Sequence, residues 1–206
     1  MWNGAGAAVI VAAVVVLVLL LRSPNSGQAT STSTPTPGTT PTSASLLLAP
    51  VGGASGTAVD GIQCQPTEQV TYHVHAHIAV YVNGKARLIP EGVGITPARQ
   101  EVSTSEGPYV ASGTCYYWLN THTNDGIIHV GAPAQQTYTL GQFFDIWGQP
   151  LTATQVGPAT GSLIVYVNGQ RYTGDPRAIP LAAHALIQLD VGTDFAPQPF
   201  SFPIGL

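Results

Sequence analysis

Charge is scarce in this chain. Charged residues make up 8% of its 206 residues, against about a quarter in ordinary globular proteins. The six Lys and Arg are scattered and the formal net charge is −4. With no basic patch to neutralise phosphates, nucleic acid is set aside as a partner. Met1 is the only methionine, which argues against a methionine-rich Cu(I) carrier. The two cysteines, Cys64 and Cys115, do not form a Cys-x-x-Cys pair, so thioredoxin-type and zinc-ribbon readings fail. Also missing are His-Glu-x-x-His, Gly-x-Ser-x-Gly and a phosphate-binding loop, and no residue is nominated as catalytic.

Glycine and proline are plentiful, at 23 and 17. That balance favours short strands and turns over long helices. The expected fold is mainly β, a compact β-sandwich or barrel with one short helix. Three stretches divide the chain. Residues 1–22 hold an uncharged apolar run, Gly4 to Leu21, which as a helix spans about 27 Å, enough for a bilayer core. It reads as a transmembrane anchor or a signal; no basic residue precedes it, as a signal peptide would want. Residues 23–58 are rich in Ser, Thr, Pro, Gly and Ala and read as a disordered stalk. Within them Leu46-Leu47-Leu48 is an apolar island suited to docking on the domain. Residues 59–206 are expected to form the domain, outside the cytoplasm, where Cys64 and Cys115 can pair. The expected disulfide closes a loop of about 50 residues and ties the histidine strands together.

Histidine is what the domain has instead of charge. His73, His75 and His77 alternate with Val74 and Ala76, and a strand sends all three imidazoles to one face. Val74, Ala76 and Ile78 go to the other, toward a core. Asn83-Gly84 follows, a two-residue type I′ turn signal. The same Val-Tyr-Val-Asn-Gly run recurs at residues 165–169, marking either an internal duplication or two similar hairpins. Residues 96–113 read as loops with room for one short strand. Cys115 to His122 reads as a strand, Asp125-Gly126 as a hairpin turn, and Ile127 to Val130 as the return. That register sets His122 opposite His129 on one face. Thr139 and Gln142 have capping-box spacing around a helix at residues 140–147, with Gly148 at its end. Ala185 to Val191 reads as the last strand, His184 as a hydrogen-bonded histidine, and Phe195 to Leu206 as a tail run out over the surface.

Neutral imidazole ligates both copper and zinc, so His73, His75, His77, His122 and His129 are the candidate ligands of a divalent metal. Three or four of them would bind at once, with His75 at the centre. Glu68 and Asp125 are candidates either to join them as ligands or to orient the imidazoles. Binding should weaken below about pH 6.5, where free imidazole protonates.

The run Cys115-Tyr-Tyr-Trp-Leu, Thr121-His122, Gly126-Ile-Ile-His129-Val, followed by Tyr138-Thr-Leu-Gly-Gln-Phe-Phe-Asp-Ile-Trp147, resembles a group of uncharacterised bacterial membrane-anchored proteins. The resemblance covers about residues 70–200. It implies a membrane-anchored domain with a His-x-His strand. Where that pattern often reads His-Thr-His, this chain has Asn120-Thr121-His122, so Asn120 stands in a ligand's or a ligand neighbour's place. The function expected is a membrane-anchored, extracytoplasmic domain binding copper or zinc. The alternatives are a structural or adhesive β-domain without metal, and a metal-dependent enzyme whose substrate the sequence does not name. The membrane, through residues 4–21, is the one partner expected; the sequence names no protein partner.

Overall fold

The computed structural model describes residues 46–105 and 107–206. The apolar run at residues 4–21 and most of the linker lie outside the described residues. Among the described residues no helix is long and apolar enough to cross a membrane.

The fold is mainly β. Among the described residues its strands are β1 (Cys64–Gln65), β2 (Tyr72–Val82), β3 (Lys85–Arg87), β4 (Gln100–Thr104), β5 (Gly107–Ser112), β6 (Tyr116–Tyr117), β7 (Leu119–Asn120), β8 (Ile127–Ala132), β9 (Leu151–Thr152), β10 (Gln155–Val156), β11 (Ala159–Thr160), β12 (Leu163–Val167), β13 (Gln170–Tyr172) and β14 (Leu186–Val191), and they are joined by the α-helix α1 (Leu140–Trp147). The largest sheet runs in the order β13-β12-β14-β2-β8-β7, and β3 pairs with the far end of β2. Strands β14 and β2 are parallel. No sheet closes into a barrel among the described residues. The reason lies at one edge: β7 is two residues long, and no further strand pairs with it in that sheet.

Local chemistry explains the hairpins. Asn83 and Gly84 both take positive φ, as do Asn168 and Gly169, which is the type I′ requirement. Both copies of Val-Tyr-Val-Asn-Gly therefore turn a hairpin, β2 to β3 and β12 to β13. Helix α1 keeps its full capping box at Thr139 and Gln142, and Gly148 ends it in the left-handed conformation. The stretch expected to hold one strand at most makes the β4–β5 hairpin; β4 is exposed throughout, so no alternating apolar pattern marks it.

Alternation along β2 sorts the two faces of the sheet. Ala76, Ile78 and Val80 share a buried core with Ile128, Val130, Ile187, Leu189 and Val191, together with Phe143, Phe144, Ile146 and Trp147 of α1. Leu48 and Ala49 are buried there as well. Leu48 donates to the Leu88 carbonyl, and the Trp147 indole donates to the Pro50 carbonyl. The Leu46-Leu47-Leu48 island thus docks as expected, and packed chain reaches back before residue 59.

The opposite face carries the histidines, and the C-terminal segment lies along part of it. Phe195 packs on Tyr81, Phe200 on His77 and Phe202 on His184. Buried Gln188 donates to the Phe195 carbonyl and accepts from the Gln198 amide. Asp190, fully buried, accepts from the Phe195 amide.

Candidate metal centre

Strand β8 lies antiparallel to β2, with His129 directly opposite His75. Opposed residues share a face, so His129 joins the side that alternation gives to His73 and His75. The ring centroids of His75 lie 4.6 Å from those of His73 and of His129. One donor nitrogen from each of the three lies within 4.8 Å of the others. Ligands of a tetrahedral zinc or copper stand about 3.3 Å apart, given bonds of about 2.05 Å. Rotation of the imidazoles by little more than 1 Å at the nitrogen would close the set. His75 is central, as expected. His73 is exposed, His75 buried and His129 half-buried.

The electrostatics favour neutral imidazole at the centre. Burial pulls the His75 pKa down to about 4, helped by the neighbouring His73. Burial pulls His129 down to about 3, helped by His122 and His75. Both therefore stay in the ligating form well below the pH at which free imidazole charges. Nε2 of His75 is buried with no hydrogen-bond partner among the described residues, and such an orphan costs about 1–3 kcal/mol.

Two of the five candidate ligands stand outside this group. The Nε2 of His77 donates to the Asp125 carbonyl at 3.1 Å, and its ring stacks on Phe200 at 3.6 Å. Asp125 thus orients a histidine, but with its backbone; its carboxylate accepts from the Ile127 amide. His122 has both nitrogens engaged, Nδ1 with the Val110 carbonyl at 2.6 Å and Nε2 with Glu68 Oε1 at 2.7 Å. Both partners are acceptors, an arrangement that favours a ring carrying a proton on each nitrogen. Burial opposes that charge, but the bonds to Glu68 and Val110 outweigh it and raise the pKa. The same His122 bond, against the effect of burial, lowers the Glu68 pKa.

The expected register of His122 was off by two residues. Asn120, not His122, pairs with His129. The chain leaves the sheet after Asn120 because Thr121 and His122 find other partners. Thr121 bonds through its backbone to Gly92 and Val93, and its hydroxyl donates to the Pro90 carbonyl. The His122 carbonyl accepts from Val110. Asp125 and Gly126 then lie against β2, where a Cβ on Gly126 would sit 2.2 Å from the Ile78 carbonyl. His122 still comes near, its ring 4.9 Å from that of His129. Asn120 faces the centre's side of the sheet. Its Nδ2 donates to the Tyr117 carbonyl, and its Oδ1 is buried without a partner among the described residues.

Cys64 and Cys115 form the expected disulfide, with Cα atoms 5.4 Å apart. It holds β1 against β6, four residues before Glu68. His184 is hydrogen-bonded as expected, Nε2 to the Leu206 carbonyl. Sequence reasoning missed Tyr109, which stacks on His122 at 5.0 Å, and Phe200. Neither sits in a motif; both arrive through long-range packing. A cavity of about 380 Å³ opens beside His129 and His122, with Tyr109, Thr123, Ile127 and Leu206 in its wall.

Comparison with protein-family models, with curated proteins and with solved structures found no match.

Proposed function

We propose that this chain is a membrane-anchored, extracytoplasmic domain that binds one divalent metal ion, copper or zinc, through His73, His75 and His129. One observation carries the reading. Three histidines from two adjacent strands bring a nitrogen each within 4.8 Å, and the buried Nε2 of the central one has no partner among the described residues. A metal ion satisfies that atom. It also fits a donor set of neutral imidazoles, which copper and zinc accept and calcium or magnesium do not.

The apolar run at residues 4–21 and the Ser/Thr/Pro-rich stretch after it support the anchored placement. The Cys64–Cys115 bond supports an oxidising compartment, and the resemblance to membrane-anchored proteins points the same way.

The test is calorimetric titration of the metal-free full chain, in mild detergent, with copper and with zinc at pH 7.5. One equivalent should bind with a Kd below about 10 μM, which is about −7 kcal/mol. His75→Ala and His129→Ala should abolish binding, while His77→Ala and His184→Ala should keep it. Wild-type chain that takes up neither metal returns the domain to a structural or adhesive role.

A further inference from the structure

Asn120 is a buried polar side chain that the three histidine ligands leave unexplained. It is 2% exposed. The loop over it packs closely because Gly94 has no Cβ; one would lie 3.1 Å from the Asn120 Cβ. The Nδ2 of Asn120 donates to the Tyr117 carbonyl at 3.1 Å. A carbonyl takes only a donor, so this bond fixes which end of the amide is oxygen. Oδ1 is then the free end, buried and without a partner among the described residues. An acceptor in that state is a cost to the fold unless something donates to it.

His129 has the donor. Asn120 pairs directly with it across β7 and β8, as His75 does from the other side. The three side chains form a row on one face of the sheet, with neighbouring Cβ atoms about 5 Å apart. A neutral imidazole that gives one nitrogen to a metal carries its proton on the other. Ligating histidines almost always give that second N–H to an acceptor, which holds the tautomer and the angle of the ring. His129 makes no hydrogen bond among the described residues, and one of its nitrogens converges with those of His73 and His75. Glu68 does not serve it, because its Oε1 is engaged by His122. We propose that Asn120 is a positioning residue, whose Oδ1 accepts the second N–H of His129 when the metal is bound. The rotation of the rings that closes the ligand set then satisfies two orphans together, Nε2 of His75 on the metal and Oδ1 of Asn120 on His129. This rests on the metal reading above.

The experiment uses the full chain in mild detergent, isotope-labelled at histidine and loaded with zinc, its zinc content measured first. Proton–nitrogen NMR reads the ring N–H groups, with His122, bonded to Val110 and Glu68, as the internal reference. In the wild type the second N–H of His129 should be visible and protected from exchange with water. In Asn120→Leu that protection should be lost while the His122 signal stays. Zinc affinity, measured by competition against a chelator, should fall about 10–100-fold in Asn120→Leu. Asn120→Asp keeps an acceptor in place and should bind zinc more tightly than Asn120→Leu. Should Asn120→Leu fail to fold by circular dichroism, Asn120→Ala takes its place in the same comparisons. The proposal falls if zinc loads and the His129 N–H of the wild type exchanges freely. It falls equally if the folded Leu or Ala variant binds zinc as the wild type does, or if Asn120→Asp binds it no better than that variant. Failure of zinc to load on the wild type is a different result, and it overturns the metal reading and this proposal together.

Discussion

Acid should unfold the metal-free domain through two specific histidines. In the unfolded chain a histidine takes up its proton near pH 6.5. In the folded chain His75 holds out to about 4 and His129 to about 3. Below pH 6.5 the unfolded state therefore binds more protons, and stability falls as pH falls. The loss begins near 6.5 and continues down to the two folded values. At pH 5 each histidine has crossed about 1.5 units, at about 1.36 kcal/mol per unit, so each costs about 2 kcal/mol and the pair about 4. His122 acts in the opposite sense. Its folded pKa is raised, so its contribution is fully present below 6.5 and is lost as pH rises through the folded value. A comparison with the His75→Gln/His129→Gln double variant cancels His122. Urea unfolding in the presence of a chelator, followed by tryptophan fluorescence, reads the difference; Trp147 is fully buried. Between pH 7 and pH 5 the wild type should lose about 4 kcal/mol more than the double variant. Equal losses in the two proteins would refute the claim that these imidazoles are buried neutral.

Replacing Cys64 and Cys115 by Ala should destabilise the metal-free domain by about 4 kcal/mol, the loop-closure value for a separation of 51 residues; a denaturant midpoint that implies less than about 1 kcal/mol would show that the unfolded chain is compact there without the bond. Asn120→His should tighten metal binding by about tenfold, equivalent to about 1.4 kcal/mol, because residue 120 lies directly across from His129. Competition against a chelator measures this, and a folded variant with wild-type affinity would mean that position 120 does not face the metal.

What the sequence made legible was local. Asn-Gly turns, the Thr139 capping box and the period-two histidines each depend on neighbours within a few residues, and each is found where residue order places it. The His122 register depended on Thr121, whose hydroxyl reaches Pro90 and whose backbone reaches Gly92 and Val93. Nothing within the 115–130 segment announces partners about 30 residues away. The same limit hid Phe200. A tail with aromatic anchors could be read from composition, but its seat on His77 comes from Gln188 and Asp190, which bond its backbone.

The six histidines also show why alternation alone over-counts ligands. Period two puts His77 on the same face as His75, and proximity puts His122 beside His129, so face and distance do not separate them. Hydrogen bonding does. His77, His122 and His184 each give a ring nitrogen to a carbonyl or carboxylate. Those bonds are worth about 1 kcal/mol for a neutral pair and more with a charge, and a metal would have to break them first. His73, His75 and His129 make no such bond among the described residues, and they are the three whose nitrogens converge. For His75 the missing bond is a cost, since Nε2 is buried. A purely structural role would favour replacing that imidazole with an apolar side chain of similar size, because removing an unpaired buried polar atom recovers about 1–3 kcal/mol. His75→Leu should therefore make the metal-free domain more stable and unable to bind metal. Thermal unfolding with and without one equivalent of zinc tests both halves at once: a lower melting temperature without metal, or a zinc-induced rise equal to that of the wild type, would each contradict the assignment of His75 as a ligand kept at a cost to the fold.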